Sequence, residues 1–374
     1  MRNGHRTGNG RRAPRRILVA GAAGAASLNY IRSLRMAAEP FYLIGVDCNR
    51  YQLLSAETDE RHLVPGASRP DYIPVLRDLI QETGAEMLFA QADVEVAVIS
   101  ERRDELPARL FMPDADVISL CQDKYRSYLR WRDAGLAVPE TRLLETEADL
   151  AAMLDTYGEV WLRALEGAAG RGALLTSDLG HARMWIERYD GWGQFTAARY
   201  LSPRSVTWQS IWQDGELVLA QGRERLQWEF GNRAPSGVTG ITGAGFTVRD
   251  EQVDEIAELT VRAVDPRPHG IYSVDLTRDA DGTPNPTEIN IGRFFTTSLF
   301  FATAGLNMPY IFTRLAFGED APLPERRLNP LEPGLLWLRG MDREPVLTTL
   351  AEAEAAQREL EERARRVRGP VSAA

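Results

Sequence analysis

Apolar residues first run without a break at Ile17-Leu18-Val19-Ala20, and the run ends in the small residues of Gly21 to Gly24. Four apolar positions closed by turn residues predict a buried strand. The segment from the turn to Leu34 or Arg35 predicts a helix, and Phe41-Tyr42-Leu43-Ile44-Gly45-Val46-Asp47 predicts a second strand ending in an acid. Strand, small-residue turn, helix and strand begin a doubly wound α/β layer. The rhythm continues with a short strand closed by Leu63-Val64-Pro65. In Asp71 to Thr83, Ile73, Leu76, Leu79 and Ile80 recur at helical spacing. Met87-Leu88-Phe89-Ala90 predicts a strand, Asp93 to Leu106 a helix, and Asp116-Val117-Ile118-Ser119 a further strand. These elements form a first domain over residues 17–119, preceded by a solvated basic tail over residues 1–16 that holds six arginines. The same arginines followed by Ile17 to Ala26 also have the form of a twin-arginine export signal. The strand reading is preferred because the α/β rhythm continues directly from it.

The pattern then changes. A helical run follows Lys124 and stops at Gly135-Leu136-Ala137-Val138-Pro139. Glu159 to Ala164 and Ala173 to Thr176 predict two strands joined by Glu166-Gly167-Ala168-Ala169-Gly170-Arg171-Gly172. Backbone N–H groups in such a glycine-rich turn can close on phosphate oxygens, but no G-K-[ST] follows, so it is not a P-loop. Residues 120–200 form a second unit and 201–345 a third, with strands at Leu217 to Leu226 and Gly334 to Arg339. Residues 346–374 predict a charged helix, Thr348 to Val367, with Leu350, Ala353, Leu360, Ala364 and Val367 as a thin apolar stripe, and a tail.

Composition narrows the function. The net charge of −9 argues against nucleic-acid binding. Cys48 and Cys121 provide no disulfide framework, and the four histidines do not cluster as metal ligands. No apolar run is long enough to span a bilayer, so a cytoplasmic protein without a membrane partner is expected. Gly21 to Gly24 lacks the G-x-G-x-x-G spacing of a dinucleotide site. Of the 44 basic residues only Lys124 is a lysine. Ammonium and guanidinium differ most at crowded phosphate sites, so a lysine kept in an arginine-rich chain points to a phosphate ligand, with chance survival of one surface lysine as the plain alternative.

The most informative pattern is a hairpin. Ile271 to Thr277 alternates as a strand, Arg278 to Pro286 turns, and Thr287-Glu288-Ile289-Asn290-Ile291 returns. Glu288 and Asn290 are two apart and leave one face, and Asp275 can oppose them. Two carboxylates and an amide are hard oxygen donors suited to Mg²⁺ carrying substrate phosphates. An exposed acidic hairpin is the plain alternative. Arg223 and Arg225 likewise share one face of their strand.

Together these elements resemble the ATP-grasp superfamily, in the branch similar to the carbamoyl-phosphate synthetase large subunit and other carboxylate–amine ligases. The resemblance covers about residues 17–318 and implies a pre-ATP-grasp domain followed by a two-lobed ATP-grasp fold. Asp123-Lys124 with Gly135-Leu136-Ala137-Val138-Pro139-Glu140-Thr141 carries its first motif. It implies that Lys124, Arg163, Gly167, Gly170, Arg171, Gly172, Tyr200 and Leu201 bind ATP. Asp275, Glu288 and Asn290 would ligate Mg²⁺, with Mn²⁺ as a substitute, and Arg293, Arg223 and Arg225 would serve catalysis. The implied reaction activates a small-molecule carboxylate as an acyl phosphate and passes it to an amine, with ADP released. Alternatives are an ATP-binding protein that has lost catalysis, or carbamoyl- or carboxyl-phosphate chemistry on the same scaffold. A homodimer is among the assemblies the resemblance allows. The chain departs from the family pattern at the hinge, where Ala197-Ala198-Arg199 precedes Tyr200-Leu201-Ser202-Pro203 without the usual acid, and Arg204-Ser205 stands near the usual ribose acid. Ile291 and Gly292 both separate Asn290 from Arg293, so a bulge is expected there.

Overall fold

The computed structural model describes residues 13–167, 170–202, 204–341, 346–356 and 358–359. Its first sheet is parallel, in the order β3-β2-β1-β4, built from β1 (Arg15–Ala20), β2 (Phe41–Asp47), β3 (Glu60–Leu63) and β4 (Met87–Phe89). Helices α1 (Ala25–Arg35), α2 (Tyr72–Thr83), α3 (Asp93–Glu101) and α4 (Ala115–Gln122) accompany it. Ile17 to Ala20 are fully buried, as an apolar strand covered on both faces requires.

Three expectations need correction here. Asp116 to Ser119 is not a strand but the start of α4, where Ile118, Leu120 and Cys121 turn one face inward. Four residues are too few to separate helical from strand spacing, so the tetrad was ambiguous by length. The helix expected over Asp93 to Leu106 ends at Glu101 and gives way to a 3₁₀ turn at Arg103–Glu105. Arg15 and Arg16, read as the end of a solvated tail, belong to β1: Arg15 pairs with Glu86 at 2.7 Å and Arg16 stacks over the Tyr42 ring at 4.0 Å. The rest of that tail, residues 1–12, lies outside the described residues.

Helix α5 (Lys124–Asp133) leads to a four-stranded antiparallel sheet, β5-β8-β6-β7, made of β5 (Thr141–Leu143), β6 (Val160–Ala164), β7 (Leu174–Thr176) and β8 (Phe195–Arg199). Helices α6 (Glu147–Tyr157) and α7 (Leu179–Arg188) cover it over a small core of its own, which includes Leu150, Leu162, Ile186 and Phe195.

The third sheet has seven strands in the order β13-β12-β9-β10-β11-β14-β15. They are β9 (Ser205–Gln213), β10 (Glu216–Trp228), β11 (Thr242–Val248), β12 (Gly270–Arg278), β13 (Pro284–Ile291), β14 (Leu335–Leu338) and β15 (Val346–Thr349). Helix α8 (Glu251–Val264) packs on one face, where Trp208, Val274 and Ile289 join a core shared with the first sheet's helices. On the other face Ile211, Leu219 and Ile271 meet Phe111, Phe294 and Phe312, with α9 (Ser298–Thr303) and α10 (Met308–Ala316) beside them. The first sheet and the seven-stranded sheet thus share core. The C-terminal helix begins at Leu350 rather than Thr348, because Val346–Thr349 pairs with β14 as β15. Of its expected stripe, Leu360, Ala364 and Val367 lie outside the described residues. No helix among the described residues is long and apolar enough to cross a membrane.

Candidate active site

The register of the seven-stranded sheet builds the site. Arg223 on β10 pairs with Thr207 on β9, Thr207 with Asp275 on β12, and Asp275 with Glu288 on β13. One row across four strands therefore presents guanidinium, hydroxyl and two carboxylates on one face. The neighbouring row runs Gln221, Gln209, Ser273 and Asn290, so Asn290 stands beside Glu288 as its i+2 spacing predicts. Asn290 Nδ2 donates to Asp275 Oδ2 at 2.9 Å, and Thr207 Oγ1 donates to Asp275 Oδ1 at 2.5 Å.

Arg293 arrives by a sharp turn rather than by strand geometry. Gly292 takes φ +71°, and a Cβ there would meet Val96 Cγ1 at 2.8 Å, so glycine fits this position both in conformation and in space. Past that turn Arg293 Nη2 donates to Asn290 Oδ1 at 2.5 Å, and its fork grips the Asp93 carboxylate at the start of α3. Asp93 lies 200 residues away, and the sequence pattern marks it only as a helix start.

Lys124 is placed by a helix cap. Asp123 accepts from the backbone N–H groups of Tyr125 and Arg126 at 3.0 and 2.9 Å and fixes the first turn of α5. Lys124 Nζ then donates to the Gly167 carbonyl at 2.9 Å and lies 3.6 Å from Glu288 Oε1, with 9 % of its side chain exposed. It joins the glycine-rich turn to the acidic row. Arg163 Nη1, from β6, donates to the Thr287 carbonyl at 3.0 Å and makes a second tie between the small sheet and β13. Gly167, Gly170 and Gly172 have φ of +124°, +71° and +77°; Gly167, Gly170 and Arg171 line the cavity, whereas Gly172 does not and a Cβ there would meet the Phe195 ring at 3.2 Å. Ala168 and Ala169 of this turn lie outside the described residues, as does Pro203 of the hinge. Tyr200 and Leu201 line the far end of the cavity with Trp161, Leu175 and Ala198.

Arg223 and Arg225 share a face as expected, but they are held by hydroxyls. Arg223 donates to Thr242 Oγ1 and Thr207 Oγ1 at 2.6 and 2.7 Å, and Arg225 reaches Ser205 Oγ at 2.6 Å. The glycine at 245 opens the space beneath: a Cβ there would meet Arg223 Cδ at 3.1 Å. Arg225 lies 3.7 Å from Asp275 Oδ1 and stacks over the Trp228 ring at 3.6 Å.

These groups surround one cavity of about 1000 Å³, at the upper end of ligand-pocket sizes. Its charged lining consists of Lys124 and six arginines against three carboxylates, Asp93, Asp275 and Glu288. In a chain of net charge −9 this surplus of cations is local and specific. Burial alone would raise the Glu288 pKa, yet Lys124, Arg163 and Arg293 outweigh it and hold the carboxyl below its ordinary range. Burial pulls the Arg223 guanidinium well below its usual value, and Arg225 beside it adds to this. Burial also lowers Arg163, against the opposing pull of Glu288 and Asp275. Guanidinium stays charged nonetheless, so buried surplus cations call for an anion. Asp275, Glu288 and Asn290 fit a hard divalent cation by donor chemistry. Among the described residues no three His, Cys, Asp or Glu gather as a metal cluster, so such a cation would complete its shell with oxygens of the bound anion.

No family model matches the chain. Solved structures do. It is similar to an L-amino acid ligase from Bacillus licheniformis, with a TM-score of 0.69 and 12% identity over 94% of this chain and 98% of that one. It is similar to N5-carboxyaminoimidazole synthetase from Staphylococcus aureus complexed with ADP, with a TM-score of 0.69 and 14% identity over 92% and 96%. A biotin carboxylase from Campylobacter jejuni, in a complex with β,γ-ATP, gives 0.66 and 15% over 87% and 75%. The chain has the ATP-grasp fold: an α/β protein in which a parallel N-terminal sheet precedes the two antiparallel sheets that enclose the cavity. Fold alone does not name a reaction, which has to be argued from the site.

Proposed function

We propose that the protein is an ATP-dependent, ADP-forming ligase that joins a small-molecule carboxylate to an amine. The observation that carries this reading is the row of Asp275 and Glu288, with Asn290, facing a cavity whose cations outnumber its carboxylates by seven to three. A polyphosphate with a divalent cation is the ligand that such a lining balances. Mg²⁺ held by Asp275, Glu288 and Asn290 would neutralise charge on the phosphates, and Mn²⁺ suits the same donors. Lys124, Arg163 and the glycine-rich turn hold the phosphates from the small sheet, while Tyr200 and Leu201 border the base. Arg293, locked by Asp93 and Asn290, and Arg225, 3.7 Å from Asp275, would stabilise the charge that develops as the carboxylate oxygen attacks the γ-phosphorus. The products of this step are an acyl phosphate and ADP. The amine nitrogen then forms the C–N bond, and the acyl C–O bond to phosphate breaks. Arg293 and Arg225 stabilise the oxyanion formed on the way, and Arg223 shares with Arg225 the Thr242 and Thr207 hydroxyls that hold both. Covering the site with the glycine-rich turn keeps water from the acyl phosphate.

A nucleotide-binding protein without catalysis is favoured by one observation: all three lining carboxylates sit at the metal end, and none lines the hinge. ADP release with Mg²⁺ and ATP, measured against a panel of carboxylic acids and amines with Lys124→Ala beside the parent, separates the two. Acid-dependent turnover that falls at least 10-fold in the variant is expected for the ligase. ATP binding without acid-stimulated turnover on any pair would sink that reading.

A further inference from the structure

The cavity has two apolar ends with the charged row between them. At the hinge, Trp161, Leu175, Ala198 and Leu201 form one wall. At the opposite end the loop joining β10 to β11 brings Trp228, Phe230, Val238 and Ile241 to the cavity, with Phe295 beside them. One purine base can occupy only one of these walls. The loop wall is also tied to the reaction centre. The same Arg225 that lies 3.7 Å from Asp275 stacks on Trp228, and Arg223 sits 5.0 Å from the Phe295 ring.

The loop is built to hold this shape. Glu229 N donates to the Ile241 carbonyl at 2.8 Å, and Thr239 Oγ1 donates to the Glu229 carbonyl at 2.5 Å, closing its base. Thr296 Oγ1 donates to the Gly240 carbonyl at 3.4 Å. A Cβ on Gly170 would meet the Val238 carbonyl at 2.3 Å, so the loop lies directly against the glycine-rich turn. Trp228, Phe230, Val238 and Ile241 are each only half-buried, and the surface they leave open faces the cavity rather than a protein core.

We propose that this loop is the side-chain subsite for the ligase's non-nucleotide substrate, and that this substrate is an amino-acid-sized acid or amine with an aromatic or branched aliphatic side chain. The inference rests on the ligase reading for the substrate's role, but the subsite can be tested by binding alone. Burial of such a side chain is worth one to two decades in affinity. A small polar substrate would gain nothing from the wall.

The test is calorimetric titration of the full chain, preloaded with ADP and Mg²⁺, with phenylalanine, leucine, glycine, aspartate and lysine. Phenylalanine or leucine is expected to bind at least 10-fold more tightly than glycine or aspartate. Phe230→Ala is expected to erase that preference while leaving ADP affinity unchanged. Ile241→Asp serves as the second variant, with a shift of preference from leucine to lysine. Equal binding of all five, or a Phe230→Ala variant that loses ADP affinity instead, would overturn the subsite. Apolar selectivity without ADP release on any acid–amine pair would leave the subsite standing and remove the ligase reading. Turnover driven only by glycine or aspartate would do the reverse.

Discussion

The two faces of the seven-stranded sheet use the same residue types for opposite ends. On the helix-covered face, Asp254 of α8 is enclosed by neutral donors: Trp208 Nε1 at 2.8 Å and Asn329 Nδ2 at 2.8 and 2.7 Å. Asn329 in turn accepts from Gly222 N at 2.7 Å, so the network closes on itself. Burial raises the Asp254 pKa, with Asn329 and Trp208 opposing it. On the cavity face, Asp275 and Glu288 are met by full charges, and more of them than they can neutralise. A closed network of neutral donors serves stability, whereas a surplus of charge at an open face calls for a ligand.

This contrast predicts different losses on the two faces. Glu288→Gln keeps shape and removes a charge that balances Lys124 and Arg163. Turnover should fall by about 10²-fold or more while the melting temperature holds within a few degrees. Full activity in both Glu288→Gln and Asn290→Ala would remove the distinction between the faces. Asp254→Ala should do the opposite. Trp208 Nε1 and Asn329 Nδ2 lose their acceptor in the core, at a cost of about 3 kcal/mol in urea unfolding, with nucleotide affinity unchanged in the protein that remains folded.

The smallest expected effect lies in the first sheet's domain, where burial pushes the Glu95 carboxyl up to about 7. Tyr72 donates to it at 3.1 Å, and its Oε2 has no partner. Because the folded state holds this proton more tightly than the unfolded chain, its stabilisation is complete below the ordinary value of 4.5. It is lost progressively as pH rises to about 7. Melting curves at pH 5 and pH 8 should show the parent losing roughly 2 kcal/mol more than Glu95→Gln over that interval. Equal losses in the two proteins would mean Glu95 ionises freely in the fold.

Much of this was legible in the chain, and the reason is locality. Period-two alternation and a turn place Glu288, Asn290 and Asp275 together, and the structure pairs them, with β12 and β13 running on to Arg278 and from Pro284 where the turn was expected. Lys124 stood out as the single lysine, whereas the Asp123 cap that fixes where it stands became visible only in the structure. Errors fell where local patterns are weakest: the four residues Asp116 to Ser119, of which only Val117 and Ile118 are apolar and which fold as part of α4, and the edge strand Val346–Thr349 that resembled a helix start.

The sequence by itself determined the donor set, the glycine-rich turn and the α/β rhythm, because each depends on residues within a strand, a hairpin or one helical turn. Only the tertiary structure decided that Asp93 grips Arg293, that Lys124 ties the glycine-rich turn to Glu288 and Arg163 ties β6 to β13, and that the 228–241 loop walls the cavity at the end opposite the hinge. Strand order and sheet packing set those distances. A chain read residue by residue carries its own spacing but not the through-space neighbours that a folded sheet assigns.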